Sequence, residues 1–386
     1  MRATLQQVFR RGFDAYARTR RLPRHVTRAA RDIQQCRSAA CGRHLRACPD
    51  GHTARIFYNS CRHRACPQCS HARIEPWVEA RAQQLLPCDH YHVIFTVPHP
   101  LEPLWHRNRA RMNDLLFRAA RETLLELLGD PKYLGARPGV LAALHTWGRT
   151  LSFHPHIHAL VTGGGWHGQA FKAVRNGFLL PFRVVRSLFR GKFVAAIREA
   201  LAQQALVLPA EFSDTKLANL LRRLERQPWN VHVSERYAHA LGVAIYLGRY
   251  LRGGPIANSR LLGLDADGVR FRYTDHRDGG SKEMRLPVEH FIQRVVWHIP
   301  EPGKHLIRYW GLYARGNAAW LAEVRDSLGP QGVTLRSSRV RAPLRASDSR
   351  VQPERSCPVC GQRLVFVRII LGGSARAPPL AAVPSR

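Results

Sequence analysis

Hydrophobic and polar positions along the chain predict a mixed α+β protein. Tyr91–Val97 is rich in β-branched and aromatic residues and stops at Pro98, which predicts a strand. Residues 112–128 have helical periodicity and end at a Gly-Asp-Pro turn. Strands are predicted at 140–151 and 157–162, the second stopped by Gly163–Gly165. This order of strand, helix, strand and strand is typical of an α+β sheet domain.

The pattern continues beyond this sheet with further helices and short strands. Helices are predicted at 183–205, 214–226 and 235–252, and residues 269–274, 283–286 and 289–298 are predicted to mix short strands with a helix. Residues 1–35 predict a basic helical segment, either an exposed arm or a helix packed on the next unit. Residues 337–355 read as an Arg/Ser/Pro-rich linker, and residues 372–386 as a disordered Ala/Pro tail.

The net charge of the chain indicates the class of molecule that it binds. Sixty Lys and Arg face 27 Asp and Glu in 386 residues, a formal net charge of +33. Such an excess repels itself unless a polyanion neutralises it, so nucleic acid is the predicted partner. With neither an 18-residue apolar run nor a signal-peptide pattern, we expect an intracellular, cytoplasmic protein without a membrane partner. The sequence contains no phosphate-binding loop motif, so we expect no nucleotide cofactor.

Cysteine and histidine are concentrated between residues 36 and 71, where apolar residues are too few for an independent core. Cys-x-x-Cys turns supply two ligands each to tetrahedral zinc. Cys66 and Cys69 have that spacing. The other predicted zinc ligands are Cys36, Cys48, His52 and Cys61, with Cys48 and His52 as a facing pair. The cluster predicts one or two structural Zn²⁺ ions, and buried reduced cysteines are the alternative.

Three histidines, His154, His156 and His158, occupy alternate positions of a predicted strand and therefore share one face. Two imidazoles held in this way can bind one divalent cation, although a histidine pair of this kind is also common without a metal. The ligands predicted for a catalytic cation are His156 and His158.

A two-faced helix is predicted at 235–252. Its apolar stripe leaves Tyr246 and Tyr250 one turn apart on the opposite side. Two phenols placed in this way are either ordinary packing or a pair of nucleophiles for a phosphodiester. Arg249, Arg252 and Arg260 are the predicted DNA contacts.

These elements, in this order, resemble the two-tyrosine transposases of the HUH class, in the insertion-sequence-ninety-one (IS91) group. The resemblance covers most of residues 5–320. It rests on CRSAACGRH, YNSCRHRACPQC, HVIFTVPHP, LHTWGRTLSFHPHIHALVTGGG, YLGRYLRGGPIANSRL, YTDHRDGG and HIPEPGKHLIRYWGLYA. The HUH signature maps onto His156–His158 and the paired tyrosines onto Tyr246 and Tyr250. The family usually has Cys-x-x-Cys where this chain reads Cys48-Pro-Asp-Gly51, and His52 is the candidate replacement.

Composition and the resemblance together predict four segments. They are a basic helical arm (1–35), a zinc-knuckle domain (36–80), an HUH-endonuclease-like catalytic domain with a central antiparallel sheet flanked by helices (85–320), and a basic, partly disordered tail that contains Cys357-Pro-Val-Cys360 (321–386).

The resemblance also implies a reaction. The expected enzyme nicks and joins single-stranded element ends with Mg²⁺ or Mn²⁺, through a 5′-phosphotyrosine, and moves an insertion sequence by a rolling-circle-like route. Candidates for a third metal ligand are His154, His239 and Glu235. The alternatives are a plasmid replication initiator or relaxase with the same chemistry, and a non-catalytic zinc-dependent DNA-binding protein.

Overall fold

The computed structural model describes residues 3–69, 76–80, 83–237, 254–275, 277–329 and 356–370, without the side chains of 235–237. It confirms an α+β chain of helices and antiparallel sheets. The longer helices are α1 (Leu5–Arg18), α2 (Arg24–Gln35), α3 (Glu102–Arg107), α4 (Arg109–Gly129), α5 (Phe182–Ala202), α6 (Asp214–Arg226), α7 (Val288–Val296) and α8 (Ala318–Ser327). The strands are β1 (Arg43–Ala47), β2 (Ala54–Tyr58), β3 (His90–Thr96), β4 (Arg137–Trp147), β5 (Phe153–His167), β6 (Ala170–Ala173), β7 (Val231–Tyr237), β8 (Leu261–Asp265), β9 (Gly268–Thr274), β10 (Ser281–Leu286), β11 (Ile307–Gly311) and β12 (Val365–Ile370).

Packing divides the chain into two units. Unit 1 combines Met1–Glu75, Arg252–Ile299 and Thr334–Arg386, and unit 2 combines Pro76–Leu251 and Pro300–Val333. Residues 252–299, which the sequence analysis grouped with the catalytic segment 85–320, therefore pack with the N-terminal residues. That the four predicted segments have separate functions and fold independently stays a prediction.

Unit 2 is built on a six-stranded antiparallel sheet. Its strand order is β11-β4-β5-β3-β7, and β6 pairs with β5 beyond the end of β3. In an antiparallel pair, residues directly opposite each other point to the same face. The pairs Ile157–Phe95 and Ile157–Leu144 therefore place an apolar row on one face, which α4 and α5 cover. The Phe95 and Phe189 rings, 4.8 Å apart, are part of this core.

The triple glycine does not stop β5, as the sequence analysis predicted, but lies inside the strand. A Cβ on Gly164 would lie 2.6 Å from the Lys172 carbonyl oxygen, and one on Gly165 would lie 2.7 Å from the Arg137 backbone. These glycines therefore let neighbouring strands approach closely.

Unit 1 holds the N-terminal helices against the segment that precedes residue 300. Helix α1 starts with a capping box formed by Thr4 and Gln7, and it buries Phe9, Phe13 and Tyr16. Gly12 faces Val288 of α7, where a Cβ would lie 2.4 Å from the valine Cγ1. Of the two readings of residues 1–35, the structure therefore supports the packed helix over the exposed arm.

Two three-stranded antiparallel sheets complete unit 1, with orders β12-β1-β2 and β10-β9-β8. Residues 356–370 of the predicted tail supply β12, which pairs with β1 from Arg43 to Ala47. The predicted linker 337–355 and the terminal residues 372–386 lie outside the described residues.

The long helix predicted from Glu235 begins too early. Residues 231–237 form β7, which pairs with β3, so a helix can begin only after Tyr237. Arg236 and Tyr237, inside the predicted helix, pair instead with Tyr91 and His90 of β3, and this strand pairing overrides the helical periodicity. Residues 238–253 lie outside the described residues. No helix among the described residues is long and apolar enough to cross a membrane.

We predict that Gly165→Ala destabilises unit 2 by about 1–3 kcal/mol, because the added methyl group meets backbone that cannot move independently. The measurement is the thermal or denaturant unfolding midpoint of the purified protein.

Gly191→Ala in α5 is the matched control, since a Cβ there meets no atom within 4 Å. Alanine is favoured over glycine inside a helix by about 1 kcal/mol, so this variant should be unchanged or more stable. Equal stability of Gly165→Ala and the native chain would contradict the close-approach account.

Candidate metal and catalytic site

Three imidazoles converge on the face of the unit 2 sheet opposite α4 and α5. His145 lies on β4 directly opposite His156 on β5, and His158 is two residues further along the same strand face. One ring nitrogen from each histidine lies within 4.8 Å of the others. His145 and His158 are buried, at 2% and 4% exposure, and His156 is half-buried. The set has the spacing of a three-histidine cation site.

Burial keeps this cluster neutral. Burial and neighbouring imidazoles lower the pKa of His145 and His158 well below the ordinary value. Burial also lowers the pKa of His156 to about 4. Neutral imidazole is the form that binds metal ions, so these residues fit a bound divalent cation near neutral pH.

Hydrogen bonds orient the rings. His156 Nδ1 donates to the His154 carbonyl oxygen at 2.6 Å, which leaves Nε2 with its lone pair. His158 Nδ1 lies 2.8 Å from Nε2 of His92, a buried residue on the adjacent strand β3. Burial lowers the pKa of His92 to about 4 as well.

The sequence analysis did not identify His145 as a candidate third ligand. Its own signal is weak, because a single histidine in LHTW has no spacing relation to His156 and His158. Of the predicted third ligands, His154 lies next to His156, with ring centroids 5.3 Å apart, but outside the three-histidine group. Glu235 lies on β7 with its side chain undescribed, and His239 lies outside the described residues.

Four cysteines of unit 1 form a first sulfur group: Cys36, Cys61, Cys66 and Cys69. Cys36 Sγ and Cys61 Sγ lie 3.3 and 3.6 Å from Cys69 Sγ, and none of these cysteines forms a disulfide. A tetrahedron with Zn–S bonds of about 2.3 Å separates its sulfurs by about 3.8 Å, so this group fits structural zinc. Hydrogen bonds within the group lower the pKa of Cys36 and Cys69 and raise that of Cys61 and Cys66, so the four thiols share their protons.

The predicted facing pair does not join this group. Cys48 and His52 lie instead with Cys357 and Cys360 of the C-terminal segment, and the four ligand atoms are within 4.8 Å of one another. Sequence reasoning noted the Cys357–Cys360 spacing but did not connect it with residues some 300 positions earlier.

The proposed nucleophiles and two of the arginines cannot be placed. Tyr246, Tyr250, Arg249 and Arg252 lie outside the described residues. Arg260 ends a short 3-10 turn, and its Nε donates to the Arg272 carbonyl oxygen at 2.9 Å. A DNA contact by Arg260 stays a prediction.

Comparisons with known proteins identify the family. A family described as "Putative transposase" matches residues 139–319, which include all three clustered histidines, and a family described as "Transposase zinc-binding domain" matches residues 8–97. The chain is 36% identical over 379 residues to "Putative transposase y4qJ" of Sinorhizobium fredii, covering 95% of each protein. It is 32% identical over 341 residues to "Transposase for insertion sequence element IS801" of Pseudomonas savastanoi pv. phaseolicola, covering 86% of this chain and 79% of that protein. No solved structure gives a significant match. The first of these relatives aligns with nearly the whole chain, and both family descriptions match this chain. The chain therefore belongs to the IS91 family of transposases and carries an N-terminal transposase zinc-binding domain.

Proposed function

We propose that this transposase nicks and joins single-stranded DNA through a 5′-phosphotyrosine, using a divalent cation at His145, His156 and His158. The observation that carries the proposal is the convergence of these three imidazoles, kept neutral by burial, on one face of the sheet. A buried group of three histidines on two paired strands is more than the packing of a sheet requires, because apolar side chains would fill the same space without a desolvation cost.

Hydrogen bonds within the chain would orient the imidazole rings toward the cation. With His156 Nδ1 held by a carbonyl, its Nε2 faces the ligand position. For His158 to bind through Nε2, its Nδ1–H must donate to His92, so His92 is a positioning residue. Mg²⁺ or Mn²⁺ bound there would polarise a phosphoryl oxygen and offset developing negative charge. Imidazole suits Mn²⁺ better than Mg²⁺, which prefers an all-oxygen shell.

Tyr246 and Tyr250 are the proposed nucleophiles, on the sequence pattern and the family resemblance. The Oη of one tyrosine gives up its proton to solvent and attacks the scissile phosphorus, so that the O–H bond and the P–O3′ bond break and a new Oη–P bond forms. The departing O3′ takes up a proton and becomes a free 3′-OH. Because the ester conserves the bond energy, rejoining needs no ATP. A second tyrosine allows a second cut before the first covalent link is released.

The same chemistry would also serve a replication initiator or relaxase. The similarity to transposases along 95% of the chain favours transposition of an insertion sequence. A non-catalytic DNA-binding protein is disfavoured because it leaves the buried histidine group without a role.

We predict that His145→Ala lowers the rate of metal-dependent cleavage by at least about 100-fold, because Lewis-acid stabilisation is worth several kcal/mol. Labelled single-stranded oligonucleotides that carry the element ends are incubated with Mn²⁺, and covalent adducts are read on a denaturing gel.

His154→Ala is the matched control, since the His154 ring lies 5.3 Å from that of His156 but outside the three-histidine group. It should cleave within a few-fold of the native protein. If His154→Ala is inactive and His145→Ala is active, the third ligand has been assigned to the wrong strand.

For the tyrosines, we expect the Tyr246→Phe, Tyr250→Phe double variant to form no covalent adduct, because each change removes only the attacking hydroxyl. Each single variant should still make one cut but fail to complete strand transfer. Tyr133→Phe, on the turn after α4, is the control and should behave like the native protein. An adduct of the double variant, mapped by mass spectrometry to another residue, would refute the assignment.

Affinity for single-stranded DNA should fall steeply with salt, because the net charge of +33 makes phosphate contacts the main attraction. The logarithm of the binding constant is expected to fall by about 0.7 for each tenfold rise in salt and each phosphate contacted. Fluorescence anisotropy at several salt concentrations measures this slope. Affinity that hardly changes with salt, or that favours plain duplex over single strands, would contradict the proposal.

A further inference from the structure

We propose that Cys48, His52, Cys357 and Cys360 bind a second structural zinc ion, which fastens the C-terminal strand β12 to the N-terminal zinc-binding domain. Two of the four ligands lie far beyond residues 8–97, the part of the chain that matches the zinc-binding family. The site is therefore discontinuous, and the domain is complete only when both ends of the chain are present.

The distances suit a tetrahedral zinc ion. Cys48 Sγ lies 3.4 Å from Cys360 Sγ and 3.5 Å from His52 Nδ1. Zinc bonds of about 2.3 Å to sulfur and about 2.0–2.1 Å to nitrogen imply separations of about 3.8 Å between sulfurs and about 3.6 Å between sulfur and nitrogen. None of the three cysteines of the group forms a disulfide. Three thiolates and one imidazole form a common structural zinc set.

Two similar turns present the ligands. In the first turn, Cys48 N–H donates to the Thr53 carbonyl and Gly51 N–H donates to the Cys48 carbonyl, at 2.8 and 3.0 Å. In the second turn, Cys357 N–H donates to the Gln362 carbonyl and Gly361 N–H to the Cys357 carbonyl, at 2.7 and 2.9 Å.

Both turns also use a glycine in the left-handed region. Gly51 has φ +75° and Gly361 has φ +74°. In the first turn this glycine occupies the fourth position of Cys-Pro-Asp-Gly, where a second cysteine would stand in a Cys-x-x-Cys turn. The following residue, His52, supplies the ligand instead. The departure from the family pattern at Gly51 thus leaves the ligand count at four.

Contacts around the turns hold the two ends of the chain together. Gln362 Nε2 donates to Asp50 Oδ2 at 2.9 Å, and Arg46 Nη1 donates to the Leu364 carbonyl oxygen at 3.2 Å. Leu364 is fully buried in a small cluster with Cys48 and Cys357.

Hydrophobic burial by itself holds β12 weakly. Val365, Phe366, Val367 and Ile369 are 44–65% exposed, so Leu364 is the main apolar anchor of the segment. A strand that buries so little apolar surface gains little from the hydrophobic effect. Small units that bury little apolar surface are commonly stabilised by a structural metal ion, and the four ligands would bind one here.

The two zinc sites should differ in how fast they release metal. In the first group three of the four cysteines are buried, whereas His52 and Cys360 of the second group are exposed. A chelator therefore reaches the second site sooner.

Native mass spectrometry of the purified full-length protein counts bound zinc directly. We expect two zinc ions per chain in the native protein and one in the Cys357→Ser, Cys360→Ser double variant. Cys41→Ser is the matched control, because Cys41 is a cysteine of the same domain outside both groups, and it should keep two. His52→Cys should also keep two, since it restores a four-cysteine set, while His52→Ala should lose or weaken one.

Hydrogen–deuterium exchange tests the fastening of β12. Backbone amides of residues 365–370 should be protected in the native protein, and they should exchange faster in the double variant and after mild chelation. The amides of β4 and β5 should be unchanged, which separates loss of the site from general unfolding. With a colorimetric zinc indicator, the early phase of release should be absent in the double variant.

Three results would overturn the proposal. One is a single zinc ion in well-folded native protein, and another is two zinc ions in the double variant. The third is a disulfide within the group in the protein as purified, detected as cysteines that resist alkylation when the freshly purified protein is denatured. None of these readouts uses DNA cleavage, so they do not depend on the catalytic proposal.

Discussion

The antiparallel register of β4 against β5 is the constraint on which the histidine site depends. It places His145 directly opposite His156, and it places the apolar Leu144 opposite Ile157 on the face that α4 and α5 cover. Because side chains alternate with a period of two, a slip of one residue would bury the histidines in the apolar core and expose that core. The hydrophobic face therefore specifies the geometry of the polar face. Gly165 allows the close contact with Arg137 of β4 at one end of this pairing.

Unit 1 has less apolar core than unit 2 to stabilise one of its sheets. It is assembled from three chain segments, and its β12-β1-β2 sheet has few buried apolar side chains. Sulfur and nitrogen ligands take over part of the role that a core plays in unit 2. The first cysteine group draws on a short stretch of chain, whereas the second joins Cys48 to Cys360 across a separation of 312 residues. Closing so long a loop costs little more entropy than closing one of half the length, which makes a discontinuous site feasible.

The arginines and the histidine group differ in charge. Arginine dominates a surface whose net charge suits a polyanion, while the residues of the histidine group stay uncharged because burial lowers their pKa. Different residues would therefore attract DNA and carry out the proposed cleavage. Under the proposed function, exposed arginines would supply affinity for phosphates without specifying which bond reacts, and the buried imidazoles would hold the cation.

The sequence by itself determined the features that depend on neighbouring residues. These include most helices and strands, the shared face of His156 and His158, and the ligand character of residues 36–71. It did not identify His145 or the pairing of Cys48 with Cys357, because the residues involved meet only after distant strands pair. The glycines of β5 and the strand at Val231–Tyr237 were misread for the same reason: their conformation is set by a neighbouring strand rather than by local preference. Spacing along a chain predicts which side chains share a face of one element, but strand register alone brings two elements to a common site.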